Sequence, residues 1–562
     1  MPPRIPIGID DFRALREAKL EYVDKTGMIR ELIDRAGVQV ALFPRPRRFG
    51  KTLNLSMLRC WFEKTPDDLS PLFQDLSIWR ACPDYRSHFQ RYPVIHFSFK
   101  ETRHDSFERC LAAIHRKVQV LFGEHAYLLR SPHLAEHQRR DFQAILDGAA
   151  PPVLLDRALL DLSSYLHAHH REKVLILIDE YDEPVHAGHV HGYSPRILDF
   201  MRAFLGAGLK SNAHLFKAVV TGILRVAKED LFSGLNNLDV YTLLARPFGT
   251  AFGFTEPEVT DLLERCARTG ALGEVRRWYN GYVFGGEVVY NPWSVCNFLQ
   301  REDEVPKAYW LSTSSNDLVR ELLERHALEL WPTFETLLAG GAIEHRLDEN
   351  VVFREVHERK DALWSLLCFS GYLRAEESRR DELGRPIHRL SIPNLEVREV
   401  YSSTFARWME RRIEAQGGSI DRLTRALLGG DAAALEEQLQ SFVTDLISYH
   451  DPGKLHPERV YQAFIVGLLA VLEPSHQVRS NRESGQGRPD VLVRPARPGN
   501  PGVVLELKVA RPGKRTLEEA LTEGLTQLSA MDYAAELRAA GASPIQAFAV
   551  AFDGKLVRVR AA

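Results

Sequence analysis

Two groups of residues in this chain have the types and spacing to do chemistry on phosphate. Near the start, Gly50, Lys51 and Thr52 lie within FPRPRRFGKTLNLSML, residues 43–58. In such a loop, backbone amides at a helix start hold phosphate oxygens, the lysine reaches the terminal phosphates and the hydroxyl binds magnesium. Near the end, Asp490, Glu506 and Lys508 lie within HQVRSNRESGQGRPDVLVRPARPGNPGVVLELKVA. Two acids and an amine in that arrangement suit phosphodiester hydrolysis assisted by a divalent metal.

The first group needs a strand, a loop and a helix in that order. VQVALF before the loop reads as a buried parallel strand, and TLNLSMLRCWF after it has apolar residues at helical spacing. The loop departs from the usual pattern, because the glycine expected five positions before Gly50 is Arg45, between Pro44 and Pro46. That glycine normally permits a tight turn, so the chain here must enter by an extended path. A second segment completes the site: KVLILIDEYDEPV, residues 173–185, has five apolar residues that read as a buried strand ending in Asp179 and Glu180. Asp179 suits holding magnesium through water, and Glu180 suits activating the attacking water. A third strand, LFKAVVTG, ends in Thr221, which either reads the terminal phosphate or caps a turn, with Arg225 and Lys228 close behind. The nucleotide-binding set is Arg48, Gly50, Lys51, Thr52, Asp179 and Thr221, with Mg²⁺ at Thr52 and Asp179.

The second group needs a hairpin. The midpoint of 490 and 506 is position 498, inside the turn ARPGNPG, so a symmetric register places Asp490 opposite Glu506. Glu506 and Lys508 are two residues apart and share a face. Opposed carboxylates repel unless something positive sits between them, which predicts Mg²⁺ or Mn²⁺ on Asp490 and Glu506, with Lys508 positioning the attacking water. A helix, RVYQAFIVGLLAVL, precedes the hairpin, while the helix LEEALTEGLTQLSAMDYAAELRAA and the strand IQAFAVAF follow it. Arg479, Arg482, Arg488, Arg494, Arg497, Lys514 and Arg515 are candidates to follow a phosphate backbone without reading sequence.

Between residues 255 and 455 helical patterns dominate, as in EVTDLLERCAR and AALEEQLQSFVTDLI. Asn291 followed by Pro292 reads as a helix cap, and Ser314, Ser315 or Asn316 as another. ALWSLLCFSGYLRAEE reads as a helix running into a strand. His186, His189 and His191, like His167, His169 and His170, lack partner cysteine or carboxylate spacing and read as solvated loop and helix-end histidines.

The 562 residues, 45% hydrophobic and 26% charged, suit a globular protein of roughly three to four domains. A net charge of -3 gives no global attraction to nucleic acid, so a binding surface must be a local basic patch. Six dispersed cysteines without any CxxC argue against a disulfide framework and a structural zinc site. Apolar runs such as FIVGLLAVL are too short to span a bilayer, and MPPRIPIGIDDF has no apolar signal core. The expected location is the cytoplasm, with no membrane partner.

The blocks YVDKTGMIRELI, RPRRFGKTLNLSML, LIDEYDEPV, TGILRVAKEDLFSGLNNL, WYNGYVFGG, NPWSVCNFL and YWLSTSSND, in order over roughly the first 320 residues, resemble the bacterial AAA-ATPase-like family that carries a C-terminal PD-(D/E)XK nuclease-like domain. RPD followed by ELK, within residues 457–560, is similar to the nuclease motif. The resemblance implies that Arg45 is a family trait, that Glu483 is an upstream acid of the nuclease site, and that Gln527 is its helical glutamine. The implied architecture is α/β: an N-terminal P-loop, AAA-like parallel-sheet domain over 1–255, a mainly helical region over 256–455 and a nuclease-like domain over 456–562. The expected function is ATP binding and turnover coupled to Mg²⁺-dependent cleavage of nucleic acid, DNA ahead of RNA, in defence or nucleic-acid processing. A reading of another class is a nucleotide-dependent switch or scaffold whose nuclease-like domain binds nucleic acid or a partner without cutting. A third is an ATPase motor, a homo-oligomer in which a neighbouring subunit supplies an arginine, with Arg225 and Arg246 as candidates.

Overall fold

The computed structural model describes residues 3–223, 236–301, 305–310, 333–334, 336–338, 340–350, 360–414, 420–446, 461, 465–466, 468–469, 472, 475–480, 489–510, 515–554 and 556–562. The chain divides into two compact units, Met1–Ser314 with Glu344–Val397, and Ser315–Ile343 with Arg398–Ala562.

The first unit is built on a five-stranded sheet: β1 (Val40–Pro44), β2 (Val94–Ser98), β3 (Val174–Asp179), β4 (Leu215–Gly222) and β5 (Leu238–Val240), in the order β2-β3-β4-β1-β5. Every pairing is parallel. Parallel strands are covered on both faces, which is why β1 and β3 are continuous apolar runs without alternation and every residue of each is buried. The helices Phe107–Glu124, Ala158–His170 and Ser194–Leu209 supply Ile114, Leu162 and Phe204 to the same core as Val40, Ile95 and Ile176. Register brings the strand ends level. Ser98 pairs with Asp179, and Phe43 with Thr221, so the loop after β1 and the acidic end of β3 open on one edge.

Downstream, β6 (Phe254–Thr255), β7 (Tyr282–Phe284) and β8 (Glu287–Tyr290) form a small antiparallel sheet. The helix Pro292–Gln300 follows, capped by Asn291, whose side chain accepts from the amides of Trp293 and Ser294. The helix Lys360–Phe369 runs into the hairpin β9 (Arg374–Arg380) and β10 (Pro386–Ser391), as ALWSLLCFSGYLRAEE predicts. Ser314, Ser315 and Asn316 lie outside the described residues.

The second unit holds a mixed sheet of β11 (His476–Ser480), β12 (Val491–Pro495), β13 (Gly502–Val509), β14 (Ile545–Asp553) and β15 (Leu556–Ala561), in chain order. All neighbours are antiparallel except β13 and β14, which are parallel. A parallel pair needs a long crossover, and the helix Leu517–Ala530 lies in it. Period-two alternation sorts β13. Val503, Leu505, Leu507 and Val509 share a core with Leu423, Leu427, Leu435 and Leu439 of the helices Ile420–Gly429 and Ala432–Leu446. The opposite face carries Val504 with Tyr533 and Leu537, and Ala520 and Leu521 pack there on Ala549 and Ala551. The core of this unit therefore takes in helices that begin at Ile420, upstream of residue 456. Among the described residues no helix is long and apolar enough to cross a membrane.

Candidate active sites

At the edge of the first sheet, Arg45 does not occupy the place of a glycine at the surface of the loop. It is fully buried. Its Nη1 donates to the carbonyls of Pro44 at 2.9 Å and Tyr241 at 2.6 Å, and its guanidinium lies 5.0 Å from the Phe252 ring and 5.4 Å from that of Phe284. Burial alone pushes its pKa down to about 9, and among the described residues its Nε and Nη2 have no hydrogen-bond partner. The rest of the loop meets the same aromatic wall. Phe49 packs 4.9 Å from Tyr282 and 5.0 Å from Phe284, and Arg48 sits 4.3 Å above Trp293. Arg48 and Gly50 both have left-handed backbone, with φ of 66° and 80°, so Gly50 starts the helix Lys51–Phe62 where a side chain would be strained. The altered loop is thus held in place by RPRRF packing on residues 252–293.

Lys51 is buried, and its Nζ donates to the carbonyls of Arg45 at 3.0 Å and Pro46 at 2.9 Å. Burial lowers its pKa, while Asp179, Glu180 and Asp182 pull the other way. Asp179, itself 1% exposed, joins two strands and the loop: Thr52 Oγ1 donates to its Oδ2 at 2.6 Å, and Thr221 Oγ1 to its Oδ1. Three residues predicted from separate segments therefore meet in one cluster. A hydroxyl and a carboxylate in contact form the hard oxygen set that suits Mg²⁺. Glu180 has φ of 53°, and burial, then Asp179 and Glu183, push its carboxyl up to about 7. The turn closes through Asp182, whose Oδ2 accepts from the Ile223 amide at 2.9 Å. Arg225 and Lys228 lie outside the described residues, and Arg246 is exposed.

In the second unit, Val491, Leu492 and Val493 pair with Leu505, Val504 and Val503. One step further in that register sets Asp490 opposite Glu506, the symmetric arrangement expected about position 498. Asp490 Oδ2 accepts from the Leu507 amide at 2.8 Å. Glu506 is 1% exposed; its Oε1 accepts from Lys508 Nζ at 2.6 Å, while among the described residues its buried Oε2 has no hydrogen-bond partner. Burial first, and Asp490 second, push Glu506 up to about 7 against the pull of Lys508. Burial opposes the charge on Lys508, but the Glu506 hydrogen bond and charge outweigh it and raise its pKa. A buried carboxylate oxygen without a donor, facing a second acid, is a place a divalent cation fits.

Gln527 does not reach the acids by any described contact; its Nε2 donates to the Tyr533 hydroxyl at 2.8 Å. Tyr533, 3% exposed, has its phenol raised by burial and lies within charge range of Glu506, Lys508 and Asp490. Sequence reasoning missed this tyrosine, for which the signal was its place in QLSAMDY just after the helix. Glu483 lies outside the described residues, as do Arg482, Arg488 and Lys514. Of the remaining basic residues, Arg479 pairs with Glu536, Arg494 bonds Gln477 and Arg515 pairs with Glu523, while Arg497 is exposed.

The histidines bond to neighbouring polar groups: His167 to the Glu172 carbonyl, His169 to Ser131, His170 to Tyr127 and His189 to Ser194. Among the described residues no group of three or more His, Cys, Asp or Glu side chains is arranged to hold a metal. Each candidate cation site has two side chains, so water and phosphate oxygens would complete the shell.

Comparison with known proteins follows the same division. A family model described as a predicted AAA-ATPase matches residues 6–232, and one described as the PD-(D/E)XK nuclease superfamily matches residues 456–561. A protein of Azotobacter chroococcum mcd 1, named as an uncharacterized protein in the vnfD 5' region, is 30% identical over 504 residues, which are 87% of this chain and 87% of its own.

Proposed function

We propose, for a chain that belongs to the predicted AAA-ATPase family and ends in a PD-(D/E)XK nuclease superfamily domain, that it binds and hydrolyses ATP and cuts phosphodiester bonds of nucleic acid, DNA ahead of RNA. The observation that carries the nuclease half is the buried Glu506 carboxylate, with one oxygen on Lys508 and the other without a donor, beside Asp490. Asp490 and Glu506 hold a divalent cation, Mg²⁺ or Mn²⁺, which when bound polarises the scissile phosphate and acidifies a water. Lys508 positions the attacking water and offsets charge on the phosphate as the bond forms. Glu483 adds a further acid to that site.

At the other site, Arg48, Lys51 and the amides after Gly50 bind the phosphates, and Thr52 and Asp179 hold Mg²⁺. Glu180 takes the proton of the attacking water and Thr221 reads the terminal phosphate. By analogy with the family, the pair serves defence or nucleic-acid processing.

The test is cleavage of single- and double-stranded DNA and of RNA by the purified full chain with Mg²⁺ or Mn²⁺, with and without ATP, beside Asp490→Ala. Cleavage that the variant loses by on the order of 100-fold or more is expected, the scale of removing one group that stabilises transition-state charge. No cleavage of any substrate by the unaltered protein would favour the nucleotide-dependent switch.

A further inference from the structure

Arg225 lies outside the described residues, but another arginine stands at the acidic edge of the first sheet. The turn after β2 carries Arg103 to the acidic edge of the sheet. Phe99 N donates to the Asp179 carbonyl at 3.0 Å. Thr102, fully buried, bonds the Phe99 carbonyl through Oγ1 at 2.6 Å, and the His104 carbonyl accepts from the Tyr193 hydroxyl at 2.8 Å. The backbone on both sides of Arg103 is therefore fixed, next to the strand end that bears Asp179 and Glu180.

The guanidinium itself is held less well than its backbone. Its Nε lies 3.0 Å from Glu183 Oε2, close enough for an ion pair, but no hydrogen bond from that nitrogen is aligned among the described residues. Its Nη2 contacts His186 Nδ1. Both partners stand in the first turns of the helix Glu183–His191, which begins just after the acidic strand end. Arg47, from the phosphate loop, acts on Arg103, Glu183 and Asp182 through charge, and also on Lys51. Two guanidinium groups and a lysine thus stand together at the acidic edge, and phosphate oxygens match the arginine fork better than one misaligned carboxylate.

We propose that Arg103 is a phosphate-reading arginine supplied within the chain, held on Glu183 and His186 until the terminal phosphate of a nucleoside triphosphate draws it away. The inference rests on the proposed use of the loop as a nucleotide site. A fluorescent ATP analogue and its ADP counterpart, each with Mg²⁺, titrated into the full chain, test it. The unaltered protein is expected to bind ATP more tightly than ADP. Arg103→Ala is expected to weaken ATP binding by roughly 10- to 100-fold, the range for one charge-assisted contact, with ADP affinity unchanged. Arg103→Lys should lose less, and Glu183→Gln, which loosens the hold on Arg103, should widen the preference for ATP. Equal losses for ATP and ADP, or a preference that survives both Arg103 substitutions, would overturn the assignment while leaving the loop reading intact. Failure of the unaltered protein to bind either nucleotide would overturn the loop reading and this inference together.

Discussion

Glu506 shows what one buried carboxylate costs when its site is without a cation. Its folded value of about 7 lies above the ordinary 4.5, so the folded state holds the proton more tightly. The linked stability is fully present below about pH 4.5 and is lost as pH rises through about 7. In metal-free protein at pH 8, Glu506→Gln is therefore expected to be more stable by on the order of 2 kcal/mol, a gain that vanishes at pH 4. Mg²⁺ or Mn²⁺ should stabilise the unaltered protein by mass action and leave the glutamine variant unmoved. Urea midpoints at the two pH values, with and without cation, check both effects. Identical midpoints at pH 8 would mean that Glu506 is not held against its preference.

The ends of β3 and β4 approach each other because Gly222 has no side chain. A Cβ there would lie 2.6 Å from both Asp182 Oδ1 and Tyr181 Cε1, and Tyr181 is fully buried in the core of the first unit. The ring has no room to yield, so Gly222→Ala must push the two strand ends apart, at a cost of about 1–3 kcal/mol. Because Asp179 links Thr52 to Thr221 across those ends, the same change should weaken nucleotide binding. Calorimetric titration with ATP together with a thermal melt reads the two losses. A variant that loses stability and keeps full affinity would separate the strand ends from the nucleotide site.

Each unit has its own core, the first around the parallel sheet and the second around β11 to β15. Effects of substitutions without shared partners usually add. Lys51→Ala is accordingly expected to reduce ATP affinity by on the order of 100-fold, from the loss of a charged contact to phosphate, while cation stabilisation through Glu506 persists. Conversely, Glu506→Gln should leave ATP affinity as it is. A Lys51→Ala protein that no longer responds to Mn²⁺ would show that the units do not act separately at rest. Any influence of ATP on cleavage should vanish in Lys51→Ala.

The sequence by itself determined what is local. An apolar run ending in Asp179 and Glu180, a GKT before a helical pattern, a helix cap at Asn291 and a hairpin symmetric about residue 498 all follow from side-chain period and turn chemistry within a few residues. Glu506 and Lys508 share a face for the same reason, since alternation along a strand needs no distant partner. Only the tertiary structure decided which segments become neighbours. The order β2-β3-β4-β1-β5 brings Arg103 beside the acidic strand end, sets Thr52 and Thr221 on one carboxylate and buries Arg45 against Tyr241, Phe252 and Phe284. It likewise placed Tyr533 near the paired acids and the helices from Ile420 in the core of the second unit. These contacts join residues far apart in the chain, and they form because strand pairing and burial of apolar faces are satisfied over the whole fold, which no short window of sequence records.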